Sequence, residues 1–152
     1  LAWRETSHLA LRRGPYWIGA GLDESVDAPP EVLSGRFVNL FDPELRVIDS
    51  FTLKPGSRCF LLDLDRVKSP APRVLASACK ALPAKNGAGT FSWTVEGVAD
   101  TPAIVLIAAD KAPKSVKLDG AELTPITHSA KDGLLYVRFP NASRPRELTV
   151  AF

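Results

Sequence analysis

The sequence predicts an all-β protein, an antiparallel sandwich of the immunoglobulin-like or jelly-roll-like kind with little or no helix. Three observations carry that prediction. Ten glycines and thirteen prolines punctuate 152 residues, so no helix-length window stays free of them for long. Between them lie short runs rich in β-branched and aromatic residues that alternate with period two, the signature of half-buried strands. Two Asp-Gly pairs, Asp119-Gly120 and Asp132-Gly133, sit where tight turns would join such runs.

The candidate strands follow in order. His8 to Leu22 opens the chain, with Arg13-Gly14-Pro15 read as a bulge or bend between two strand pieces. Gly35 to Leu40 and Val47 to Leu53 come next, separated by Asp42-Pro43-Glu44-Leu45, which has room for a single helical turn. Lys54-Pro55-Gly56-Ser57 has Pro second and Gly third, the type II turn pattern. Arg58 to Leu64 and Arg73 to Leu82 follow it. The second half offers Gly89 to Val95, Ala103 to Ala109, Ser115 to Leu118, Ala121 to Leu123, Leu134 to Phe139 and Glu147 to Phe152. Leu118-Asp119-Gly120-Ala121 reads as a type I′ hairpin, because Asp-Gly tolerates the two positive φ values that turn needs. Phe91, Trp93 and Val95 share one face of their strand, as do Leu135, Val137 and Phe139. Ile104-Val105-Leu106-Ile107 is apolar on both faces, which implies a strand covered twice or one at a lobe junction.

Residues 1–152 are expected to form a single sandwich module. The Gly-rich stretch 82–89 is either a loop crossing the sandwich or, at 83–89, the meeting point of two sub-lobes. A mass of 16.4 kDa suits one ordinary domain with a real core. The chain starts at Leu1 and lacks Met, so it reads as a fragment of a longer protein. Nineteen basic against seventeen acidic side chains leave a net charge of +2, without the concentrated basic face that nucleic acid requires. No apolar run approaches the ~20 residues of a membrane-spanning helix. Neither nucleic acid nor membrane is therefore an expected partner.

Catalytic and metal chemistry find little to work with. Acyl transfer needs a nucleophile, a base beside it and a group orienting the base. The only histidines are His8 and His128, both read as loop residues, and there is no Gly-x-Ser-x-Gly elbow. No two His or Cys fall at zinc-ligand spacing, and no phosphate-cradling glycine motif occurs, so no cofactor is expected. Asp63 and Asp65, two apart on a strand, are weak calcium candidates, set against a solvent face neutralised by Arg58, Arg66 or Lys68. Cys59 and Cys79 fall on candidate strands, and the sequence leaves open whether they are bridged or are two buried thiols. Trp3, Tyr16 and Trp17 are the ligand-binding candidates: a flat exposed ring stacks a sugar, and the same ring seats a neighbouring domain. Asn141-Ala142-Ser143 spells a glycosylation sequon.

One resemblance ties these pieces together. Arg13-Gly14-Pro15-Tyr16-Trp17-Ile18-Gly19-Ala20-Gly21-Leu22-Asp23-Glu24-Ser25, Gly35-Arg36-Phe37-Val38-Asn39-Leu40-Phe41-Asp42 and Lys54-Pro55-Gly56 before Phe60-Leu61-Leu62-Asp63-Leu64 form its first half. Pro113-Lys114-Ser115-Val116-Lys117-Leu118-Asp119-Gly120 followed by Leu134-Leu135-Tyr136-Val137-Arg138-Phe139 forms its second. Together they resemble the C-terminal β-sandwich accessory region of bacterial proteins grouped with glycoside hydrolases. The resemblance implies a noncatalytic module, with the catalytic residues in an N-terminal domain of the same polypeptide that would be its partner. It also makes carbohydrate a candidate partner and favours a secreted or periplasmic location. Two other readings stay open: an independent carbohydrate-binding module, and a small jelly-roll hydrolase, which would need two carboxylates facing each other across an aromatic cleft.

Overall fold

The computed structural model describes residues 6–23, 29–67 and 72–152. These are nearly all β, arranged in three antiparallel sheets, none closed into a barrel and without an α-helix. The chain divides into two compact units, Leu1–Lys68 and Ser69–Phe152. That division lies at residues 68 and 69, away from the 83–89 stretch, most of which belongs to a strand.

The first unit is one sheet of five strands: β1 (His8–Arg13), β2 (Tyr16–Gly21), β3 (Glu31–Asn39), β4 (Val47–Leu53) and β5 (Arg58–Asp63), in the order β1-β2-β5-β3-β4. The expected bend at Arg13-Gly14-Pro15 is a tight hairpin, with Arg13 opposite Tyr16. Gly14 takes a φ of 58°. Pro15 cannot follow it to positive φ, so the turn is of type II′. Ser57 N–H donates to Lys54 C=O at 2.9 Å and closes the expected turn between β4 and β5. One face of the sheet carries Leu33, Phe37, Leu53, Cys59 and Leu61 as a buried cluster, with Trp17, Ile48 and Phe51 against it. Asp42 to Leu45 is a hydrogen-bonded turn, Leu45 N–H to Asp42 C=O at 2.9 Å, where a single helical turn was expected.

The second unit is a sandwich. One sheet holds β6 (Arg73–Ser77), β9 (Pro102–Ala108), β12 (Thr127–Ser129) and β13 (Leu134–Pro140), ordered β12-β13-β9-β6. The other holds β7 (Lys80–Gly87), β8 (Thr90–Glu96), β10 (Ser115–Leu118), β11 (Ala121–Glu122) and β14 (Arg146–Ala151), ordered β11-β10-β14-β8-β7. Both sheets feed one core, in which Trp93, Val95, Val105, Ile107, Leu135, Val137, Leu148 and Val150 are buried. Ile104 and Leu106, on the opposite face of β9, are buried as well, so this strand is apolar on both faces because both are covered. Pro83 lies in β7, an edge strand, where its missing N–H costs no ladder bond on the open side. The hairpin at Asp119-Gly120 has φ values of 51° and 83°, the type I′ pair, with Leu118 opposite Ala121.

Candidate functional site

In the first unit, strand pairing places nine side chains on the face opposite the buried cluster. Leu11, Ile18 and Phe60 stand side by side on β1, β2 and β5, because Ile18 pairs with both of the others. On one side of that row come Arg13, Tyr16 and Leu62; on the other come Leu9, Ala20 and Arg58. The patch is therefore apolar across its middle, with arginines at diagonally opposite corners. Leu9 (64% exposed), Leu11 (59%) and Ile18 (45%) are open to solvent, as is Phe41 (62%) from the loop after β3. A monomeric protein scatters single exposed apolar residues, but a contiguous group of this kind marks an interaction surface. Leu9, Leu11, Ile18, Ala20, Phe41 and Arg58 line a shallow groove of about 380 Å3 there.

The rings on this face touch each other. Tyr16 and Phe60 have centroids 5.6 Å apart, and Phe41 meets Phe60 edge-on at 6.3 Å. Tyr16 is half-buried by this contact. Trp17, its neighbour in sequence, points to the opposite face, packs against the buried cluster and carries the Arg12 guanidinium 4.8 Å from its ring centroid. The period-two strand thus separates two rings that the sequence paired as candidates: Tyr16 borders the patch and Trp17 does not. Trp3 lies outside the described residues.

The remaining candidates are held by structural bonds. Strand β5 ends at Asp63 and the chain turns through a 3-10 helix at Leu64–Arg66, so Asp63 and Asp65 do not share a strand face as expected. Asp63 caps that turn, its Oδ1 accepting the Asp65 N–H at 3.1 Å, while its Oδ2 pairs with Arg12 and lies 3.8 Å from Arg66. Asp65 faces Arg36 at 3.7 Å. Both carboxylates meet arginines, and among the described residues no three His, Cys, Asp or Glu side chains gather as a metal would require. Cys59 and Cys79 are free thiols. Burial pushes the Cys59 thiol above its ordinary pKa. Cys79 sits in the bend between β6 and β7, its sulfur 3.1 Å from Ser77 Oγ. Asn141 of the sequon is 7% exposed and its amide donates to Thr101 Oγ1, so the folded chain does not present it.

The two histidines are strand residues, not loop residues: His8 starts β1 and His128 lies in β12. His128 Nε2 is 2.9 Å from the Ala109 carbonyl, and Ser129 Oγ donates to Asp132 Oδ2 at 2.7 Å. Serine, histidine and aspartate are thus neighbours here, yet the serine bonds the carboxylate directly and the histidine bonds a backbone carbonyl. The nucleophile-to-base link of acyl transfer is not made. Burial, helped by the Asp132 charge, raises the Tyr136 phenol. In the first unit, the side-chain bond from Arg46 holds Asp42 down at about 2. In the second, the Glu147 N–H, followed by Arg146, lowers Asp119.

The sequence did not single out Leu9, Leu11, Ile18, Phe41 or Arg13, and it offered Arg58 only as a counter-ion for Asp63 and Asp65, which pair with Arg12, Arg66 and Arg36 instead. A signal was present: leucines two apart in β1 fall on one face. Which face that is depends on β5, and β5 is far along the chain. Comparison with protein-family models, curated proteins and solved structures finds no match to this chain.

Proposed function

We propose that the chain is a noncatalytic accessory module of a bacterial glycoside-hydrolase-like protein, packing on the catalytic domain of the same polypeptide. The observation that carries this reading is the exposed apolar face of Leu9, Leu11 and Ile18, extended by Phe41. A domain that docks on a neighbour leaves such a face open when it stands alone, since inter-domain contacts typically bury ~600–1,500 Å2. The resemblance of the turn and strand phrases supplies the identity of the neighbour. The test uses the parent polypeptide carrying Leu11→Asp with Ile18→Asp. The reading expects the catalytic domain to melt earlier and limited proteolysis to release the module. Unchanged melting and cleavage would overturn it, as would turnover of aryl glycosides or polysaccharides by the 152-residue chain alone.

A second reading, an independent carbohydrate-binding module, draws on the exposed Phe41 ring beside the groove. Saturable binding of a polysaccharide that Phe41→Ala abolishes would favour it over the packing role.

A further inference from the structure

Strand β1 is the outermost strand of its sheet, so one of its two edges has no strand partner among the described residues. The ladder identifies which groups face that edge. A two-residue hairpin closes on a hydrogen-bonded pair, here Arg13 with Tyr16, and such pairs recur at every second residue. Leu11 with Ile18 and Leu9 with Ala20 are therefore bonded pairs. The bonds flanking the strand agree: Leu22 N–H donates to Ser7 C=O at 2.9 Å, in the same phase, and Gly21 N–H turns away from β1 to Ser57 C=O at 2.9 Å. The N–H and C=O groups of Ala10 and Arg12 accordingly point outward from the sheet. Beside this open edge, the side chains of one face read Leu9, Leu11 and Arg13, all exposed.

Charge decides what fits. Arg13 and Arg58, at opposite corners of the patch, make no ion pair or side-chain hydrogen bond among the described residues, whereas Arg12 is committed to Asp63 and Trp17. No carboxylate lines the groove. An incoming extended segment that ran antiparallel to β1 would meet Arg13, Leu11 and Leu9 in that order. We propose that β1 accepts such a segment of the neighbouring domain by strand addition, and that the segment has the pattern acidic-x-apolar-x-apolar. Its backbone would bond Ala10 and Arg12, its apolar side chains would extend the patch over Leu11 and Leu9, and its carboxylate would answer Arg13. This deepens the packing reading above by naming how the neighbour engages, and it rests on that reading.

The test titrates the 152-residue chain with acetyl-Thr-Glu-Thr-Val-Thr-Val-Thr-amide and follows backbone amides by NMR. A second peptide carries Lys in place of Glu. Binding should shift the resonances of His8–Arg13 and slow hydrogen exchange at Ala10 and Arg12, the outward-facing amides that the peptide would cover. The Lys peptide should bind about five-fold more weakly, the upper range for one exposed ion pair, and Arg13→Glu should reverse the preference. Equal binding of both peptides, an unreversed preference, no binding, or shifts confined to other strands would each overturn the proposal. Concentration-dependent association of the chain through β1 without peptide would also overturn it, assigning the edge to a second copy. The packing reading fails separately, if the Leu11→Asp and Ile18→Asp parent keeps its docked domain. If that parent loses docking while the peptide leaves Ala10 and Arg12 unprotected, packing stands and strand addition falls.

Discussion

The two units solve the same problem differently. In Ser69–Phe152 two sheets face each other and thirteen buried residues fill the space between them. In Leu1–Lys68 a single sheet gathers a cluster of five on one face, and on the other leaves Leu9, Leu11 and Ile18 in solvent. A sheet with an apolar residue on both sides of each strand needs two covers. The difference teaches where to look for function: apolar residues inside the sandwich are explained by packing, as are Val38 and Leu62 of the first sheet, which are buried, whereas the solvent-facing Leu9, Leu11 and Ile18 are not.

The sharpest way to break this comparison is to truncate one leucine from each setting. Leu135, fully buried between the two sheets, should lose about 3 kcal/mol on replacement by Ala, through lost burial and the cavity left behind. Leu11→Ala should stay within about 0.5 kcal/mol of wild type, as solvent-facing substitutions do. Urea unfolding monitored by tryptophan fluorescence measures both. Comparable losses would mean that the face around Leu11 is covered in the isolated chain, and the docking surface would vanish with it.

Turn chemistry gives the next effect. Gly120 has open space around an added Cβ, so Gly120→Val isolates the backbone term, a β-branched residue forced to positive φ. The expected loss is more than ~1 kcal/mol. A change below ~0.3 kcal/mol in the same unfolding experiment would contradict the type I′ turn.

The smallest effect is electrostatic. The Arg46 bond lowers Asp42 from its ordinary 3.8 to about 2, so the folded state favours the ionised carboxylate. A carboxyl depressed by folding contributes stability that is complete above its unfolded pKa and is lost as pH falls through the folded value. Here the window runs from about pH 4 down to about pH 2. Asp42→Asn should lower the urea midpoint slightly at neutral pH, flatten its decline across that window, and converge with wild type below about pH 2. A decline as steep as wild type's would remove Asp42 from the account.

Much of the architecture was legible in the sequence because it is locally encoded. Val47–Leu53 and Ser115–Leu118 match their strands residue for residue, and the Lys54–Ser57 and Asp119-Gly120 turns form as their residue types require. The misses have physical reasons. Gly14-Pro15 reads as a bulge because hairpin turns are announced by Asn-Gly or Asp-Gly, yet a glycine first and a proline second satisfy type II′ equally well. Pro83 and Gly87 disguised β7, which tolerates them as an edge strand. Three-residue β12 is too short for a period to register. The patch was hardest to read, since its rows combine β1 and β2 with β5, and only long-range pairing reveals that Leu11, Ile18 and Phe60 stand together. Tyr16 was recognised as a ring worth attention, but its partners Phe60 and Phe41 come from elsewhere in the chain.

The central claim is that the β1–β2 face is open in this chain and covered in the parent protein. Hydrogen–deuterium exchange over His8–Gly21, compared between the 152-residue chain and the parent polypeptide, tests it most directly. The account predicts slower exchange of β1 in the parent, concentrated at Ala10 and Arg12, with the sandwich strands β9 and β13 unchanged. Identical exchange of β1 in the two proteins would contradict it.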